Sequence, residues 1–215
     1  MYSYIRRYDA NPTSTFLEDR GAIPDPDFWS NQHEGKTVPV WAVCGPRPRD
    51  TLEKGDRVFF TPMKSNMNGE YEYICTGALV VEEKLSLEDA LASPRLNDDF
   101  KSKYMRDLLH SSHLIRDIKK DNSEIAKKRI KNIIIGNPEE SVWFGDNDLT
   151  LETVLKQQGK EDIADSVANA TRQPKRFRQK DSDLLYDALV SELDERNGRP
   201  GASTDTDGCR ACRGG

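Results

Sequence analysis

The chain has 215 residues, of which 35% are hydrophobic and 32% charged, with a formal charge of −5. That length holds one ordinary domain with an appendage or two small ones, and the composition is polar but still able to build a core. No apolar run approaches the roughly 18 residues of a membrane helix, and Met1-Tyr2-Ser3-Tyr4-Ile5-Arg6-Arg7 lacks the apolar stretch of a signal peptide, so a cytoplasmic protein with no membrane contact is expected.

The acidic total hides an uneven distribution. Residues 101–131 carry ten Lys and Arg against four acids, and residues 172–180 carry five basic residues and no acid. Such stretches build a phosphate-facing surface, or else form solvated helix faces and linkers. Cysteines stand at 44, 75, 209 and 212. The first two are expected as free buried thiols. Cys209-Arg210-Ala211-Cys212 has zinc-knuckle spacing without a second ligand pair, so no metal is assigned there.

In chain order, Tyr2, Tyr4 and Ile5 alternate with polar neighbours as in a strand, and Asp9-Ala10-Asn11-Pro12 ends it. Residues 18–37 form a loop pinned by Phe28 and Trp29, and Val38 to Cys44 is the second strand. A turn over Leu52-Glu53-Lys54-Gly55-Asp56 feeds the strand Arg57 to Thr61. Asn66-Met67-Asn68-Gly69 then connects a hairpin, because Asn-Gly accepts the positive φ of tight turns. The returning strand runs from Tyr71 to Val81, with a bulge or bend expected at Gly77.

From Ser86 the period becomes helical, with Ser86 and Asp89 placed as an N-terminal cap. Lys101 to Ile118 is mixed helical and irregular, Ile130 to Ile135 is an apolar strand, and Val142-Trp143-Phe144-Gly145 is a last edge element. Three parts are therefore expected: a domain over 1–148, a helical extension over 149–196 and a disordered tail over 197–215.

Three segments taken together carry a resemblance: Trp41-Ala42-Val43-Cys44-Gly45-Pro46-Arg47-Pro48-Arg49, Lys54-Gly55-Asp56-Arg57-Val58-Phe59-Phe60, and Thr76 to Leu85. In this order they resemble the second type of nucleotide-modification-associated domain, and more distantly the EVE and ASCH domains of the PUA-like group. Tyr2-Ser3-Tyr4, Asp9-Ala10-Asn11-Pro12 with Phe16, and Ser141-Val142-Trp143-Phe144-Gly145 extend the match over roughly residues 1–148. The segment from Glu18 to Lys36 is an insertion relative to that pattern, and nothing in 149–215 matches it.

The resemblance implies an α+β fold, a PUA-like β-barrel with flanking helices and a helical C-terminal extension. It also implies a module that binds nucleic acid, or a single modified nucleobase in a barrel pocket. Trp41, Tyr4, Phe60, Trp143 and Phe144 are the candidate aromatic walls, and Ser3, Asp9, Asn11 and Cys44 the candidate edge contacts. Trp41 and Trp143 lead, since each adjoins a strand end where a barrel mouth lies. Arg47 and Arg49, stiffened by Pro46 and Pro48, and Lys127, Lys128 and Arg129 are candidate phosphate contacts.

No nucleophile elbow, P-loop, Rossmann glycine set, zinc-deaminase signature or fixed carboxylate pair is present, so no catalytic residue and no cofactor is assigned. An enzyme acting on a modified nucleotide, with Asp9, His110, His113 and Asp117 as its acid, base or metal groups, stays open. So does a protein partner bound through the C-terminal stripe Leu185, Leu189 and Leu193.

Overall fold

A computed structural model describes residues 2–8, 26–28, 31–42, 46–65, 71–110, 123–144, 150–168 and 175–197. Its elements run β1 (Tyr2–Tyr8), β2 (Gln32–His33), β3 (Lys36–Thr37), β4 (Val40–Trp41), α1 (Pro46–Thr51), β5 (Arg57–Ser65), β6 (Tyr71–Tyr73) and β7 (Gly77–Leu85). There follow α2 (Leu87–Ala92), α3 (Asp98–His110), α4 (Ser123–Lys131), β8 (Ile133–Gly136), β9 (Val142–Trp143), α5 (Leu151–Gln157), α6 (Glu161–Ala168), β10 (Lys175–Arg178) and α7 (Gln179–Asn197). The fold is mixed α and β with largely antiparallel strand pairing. No helix among the described residues is long and apolar enough to cross a membrane. The chain divides into unit A, Thr13–Asp56 with Val80–Ser141, and unit B, Met1–Pro12 with Arg57–Leu79 and Val142–Gly215.

In unit A, β8 lies between β4 and the later part of β7, with Trp41 opposite Ile134 and Leu85 opposite Ile133, both antiparallel. Ile133, Ile134 and Ile135 are all buried, as a β-branched run paired on both edges requires. The register of β7 against β8 shifts between Val81 and Glu83. The main chain of Val81 exchanges hydrogen bonds of 2.7 and 2.8 Å with Gly55 and Asp56. Gly55 has φ +87°, which explains the glycine in the Lys-Gly-Asp turn.

The loop before β4 is ordered where it is described: Asp27 and Val40 exchange two main-chain bonds of 2.8 Å, and Phe28 is buried. Buried Asn31 donates to the carbonyls of Val38 and Arg95 and accepts from the amide of Asn97. Trp29 lies outside the described residues. The second strand is shorter than expected, only Val40–Trp41.

Two helices cover this sheet. Ser86 caps α2 by accepting from the Asp89 amide at 3.1 Å, as its spacing predicts. Asn97 does the same for α3 through the Phe100 amide at 2.7 Å, and of the segment expected to be mixed helical and irregular the described part, up to His110, is helical. Phe100, Tyr104 and Leu108 recur every four residues and bury one face of α3 against Val38, Val40, Ile133 and Ile135. Ile130 belongs to α4 and not to the strand that follows it.

In unit B, β1 pairs in parallel with β5, Ser3 opposite Arg57, and antiparallel with β10, Ile5 opposite Lys175. β5 and β6 form the expected antiparallel hairpin, with Met63 opposite Tyr73 and Ser65 opposite Tyr71. The returning strand is interrupted at Cys75 and Thr76, just before Gly77. There the Thr76 amide donates to Phe60 while the Thr76 carbonyl accepts from Phe144. β9 pairs with the start of β7, Trp143 opposite Gly77. Among the described residues, the strands of neither unit close into a barrel.

The helices after residue 148 are not a separate extension: Leu151, Val154, Leu155, Ala164, Leu185 and Leu189 share one buried cluster with Phe59, Cys75, Ala78 and Phe144. Phe59 and Ala78 lie on strands whose inward side chains need a partner layer, and these helices supply it. Of the basic stretch 172–180, the described residues form strand β10 (Lys175–Arg178) and the start of α7.

Candidate nucleic-acid interface

Arg47 and Arg49 sit on helix α1, not on a loop. Pro46 and Pro48 occupy its first turn, where main-chain amides have no intrahelical acceptor and proline costs nothing in hydrogen bonds. The two arginines then diverge, because residues two apart point to nearly opposite sides of a helix. Arg47 is exposed. Arg49 is fully buried at 0% exposure, and its Nη1 donates to the main-chain oxygen of Asn132, directly after the last residue of α4. The C-terminal carbonyls of a helix carry partial negative charge and lack internal donors, so a guanidinium there is favourable twice over. Arg49 is thus a structural brace, which corrects its expected role as a phosphate contact.

Asp50 completes the joint between α1 and α4. Its carboxylate accepts from Asn132 Nδ2 at 3.1 Å and pairs with Lys128 Nζ. The hydrogen bond from Lys128 is the largest cause holding the Asp50 carboxyl below its usual range, with the Lys128 charge, Asn132 and Lys84 acting in the same direction. Lys84 Nζ donates to the main-chain oxygens of Asp50 and Leu52 at 3.1 and 2.7 Å.

The exposed residues described on these two joined helices are Arg47 and Thr51 on α1 and Glu124, Lys127 and Lys131 on α4, three cations against one carboxylate. Lys127 pairs with Glu124 one turn earlier at 3.0 Å, a contact that water screens readily. Two basic segments some 80 residues apart, 47–49 and 127–129, are therefore brought together in unit A, with Lys128 partly neutralised by Asp50. Arg129 lies on α4, and its side chain is outside the description. Asp50, Asn132 and Lys131 escape sequence reasoning, since only the tertiary contact gives the first two a role.

The aromatic candidates divide. Trp41 is fully buried at 0% exposure in unit A, opposite Ile134, so it does not stand as the open wall expected of it. Phe60 is buried, and Phe144 belongs to the core of unit B. Trp143 is half-buried at the start of the β7 pairing. Ser3 and Tyr4 lie on β1 with undescribed side chains. Asp9, Asn11, Cys44, His113, Asp117, Cys209 and Cys212 lie outside the described residues, and the His110 side chain does too. Among the described residues no group of three His, Cys, Asp or Glu is placed to hold a metal ion.

A second charged cluster lies in unit B. Arg57 pairs with Asp183 and sits over the ring of Tyr186 at 4.6 Å, and Gln179 Nε2 donates to the same Asp183 oxygen at 2.7 Å. It joins the first residue of β5 to α7. Leu185 and Leu189 of that helix are spent in the core, so the stripe expected to bind a partner is occupied within the chain.

No family model matches the chain, and no curated protein or solved structure matches it.

Proposed function

We propose that this chain is a non-enzymatic binding module for nucleic acid, which contacts the phosphate backbone through Arg47, Lys127 and Lys131. The observation that supports this reading is the joint Arg49–Asn132–Asp50–Lys128, buried at Arg49 and Asn132, which ties two helices together and leaves Arg47, Lys127 and Lys131 exposed. Cations on pre-organised elements lose little freedom on binding phosphate, and each contact releases counterions.

The fold belonging to this reading is PUA-like, supported by the β5–β6 hairpin and by the Gly-Asp turn that braces Val81. Taken by itself, unit B offers the half-buried Trp143 as a candidate ring for an altered base, since stacking returns about 1 to 3 kcal/mol per base. The acidic remainder of the chain opposes long-range attraction, so binding is modest and short in range. A cytoplasmic location fits such a partner.

Anisotropy titrations with modified and unmodified oligonucleotides, at several salt concentrations, test the reading. Binding should weaken along a log–log slope of about 0.7 to 0.9 per phosphate contact, and Arg47→Glu/Lys127→Glu/Lys131→Glu should abolish it. A folded triple variant that binds like the parent would remove the ridge from the interface.

A further inference from the structure

Helix α7 has two working faces. Leu185 and Leu189 enter the core, while Lys180, Leu184 and Ala188 recur at four-residue spacing on a neighbouring side, Ala188 also packing against the edge of that core. That second face and the last turn of α5 border an open groove of about 520 Å³, with Val154, Leu184 and Ala188 as its apolar floor and Gln157, Lys180 and Glu192 among its rim. The whole groove lies within unit B.

We propose that a second copy of this chain fills this groove, α7 packing antiparallel on the partner's α7 about a two-fold axis at the level of Tyr186. The row of side chains is self-complementary about that point. Lys180 and Glu192 stand equally far from Tyr186 along the helix, one on each side, and so do Leu184 and Ala188. A two-fold axis there sets Lys180 opposite the partner's Glu192 and Leu184 opposite the partner's Ala188, each twice. Opposite charges then meet at both ends of a contact about 18 Å long, and large meets small in its middle. An isologous interface requires that match of a surface with itself, whereas an unrelated helix does not. The carboxylates of Asp187 and Glu192 on the rim disfavour a nucleic acid as the occupant.

Sedimentation of the full chain over the micromolar to sub-millimolar range tests the pairing. The parent should dimerise. Lys180→Glu and Glu192→Lys should each weaken the dimer about tenfold, since each single change turns two attractive pairs into two repulsive ones. The combined K180E/E192K chain should recover the parental constant, because it restores both pairs in reverse. Leu184→Ser, with helix content checked by circular dichroism, should also be monomeric. A parent that stays monomeric throughout, single variants that dimerise like it, or a double variant no tighter than the singles would each overturn the proposal. Nucleic-acid binding is read separately, so the two proposals fail independently.

Discussion

Arg49 is buried against the main-chain oxygen of Asn132, while Arg47, two residues earlier on the same helix, is exposed. Removing the buried guanidinium leaves a helix-end carbonyl without a donor. Arg49→Ala should lower stability by about 1.5 to 3 kcal/mol, the range for losing a charged hydrogen bond to a buried partner. Arg47→Ala should stay within about 0.5 kcal/mol of the parent. Urea midpoints of the two variants decide it, and equal midpoints would contradict the asymmetry.

Asp50 sets a pH dependence. Its carboxyl is held below its usual range when folded, chiefly by the Lys128 hydrogen bond, so the contribution is present above the unfolded value of about 3.9 and fades as pH falls through the lower folded value. The stability difference between parent and Asp50→Asn should therefore be constant above about pH 5 and shrink in acid. A difference that grows on acidification would refute the assignment.

Cys75 is fully buried in the core of unit B, with its Sγ 3.7 Å from the Gly77 oxygen, and burial pushes its thiol far above the ordinary range. Thiolate is the reactive form. Iodoacetamide should leave Cys75 unlabelled in the native protein and label it in denaturant, as read by peptide mass mapping.

The stacking of Arg57 over Tyr186 should appear as coupling. A double-mutant cycle with Arg57→Met and Tyr186→Leu is expected to give about 0.5 to 2 kcal/mol, larger than an exposed cation–aromatic contact because the Arg57 side chain is only 17% exposed. Additive effects would show that the ring contributes only apolar packing.

Much of the local structure was legible where the signal is local. The Ser86 cap and the hairpin before Tyr71 depend on residues within a few positions, and the apolar strand expected over Ile130 to Ile135 holds for Ile133 to Ile135, its start being the end of α4. The site was half legible. The pairing of the 47–49 and 127–129 segments was invisible, as was the opposite fate of two arginines separated by one proline, because helix phase decides which of them is buried. Lys175 to Arg178 was legible only as part of a basic stretch, phosphate-facing or else a solvated helix face or linker, since three basic residues in four mask a strand whose order comes from its pairing with β1. Trp41 at a strand end is equally compatible with a mouth and with a core, and only the neighbouring strand and loop settle its burial.

The order of synthesis collides with the order of assembly in unit B. β1 is made well before both strands it pairs with, β5 and the much later β10. Contacts closed over such long stretches of chain form slowly, and the apolar faces of Phe59 and Ala78 wait for the helices that cover them. A chain ended at residue 148 should therefore be a poor substitute for the whole: it should bind a hydrophobic dye and aggregate, whereas the full chain does neither.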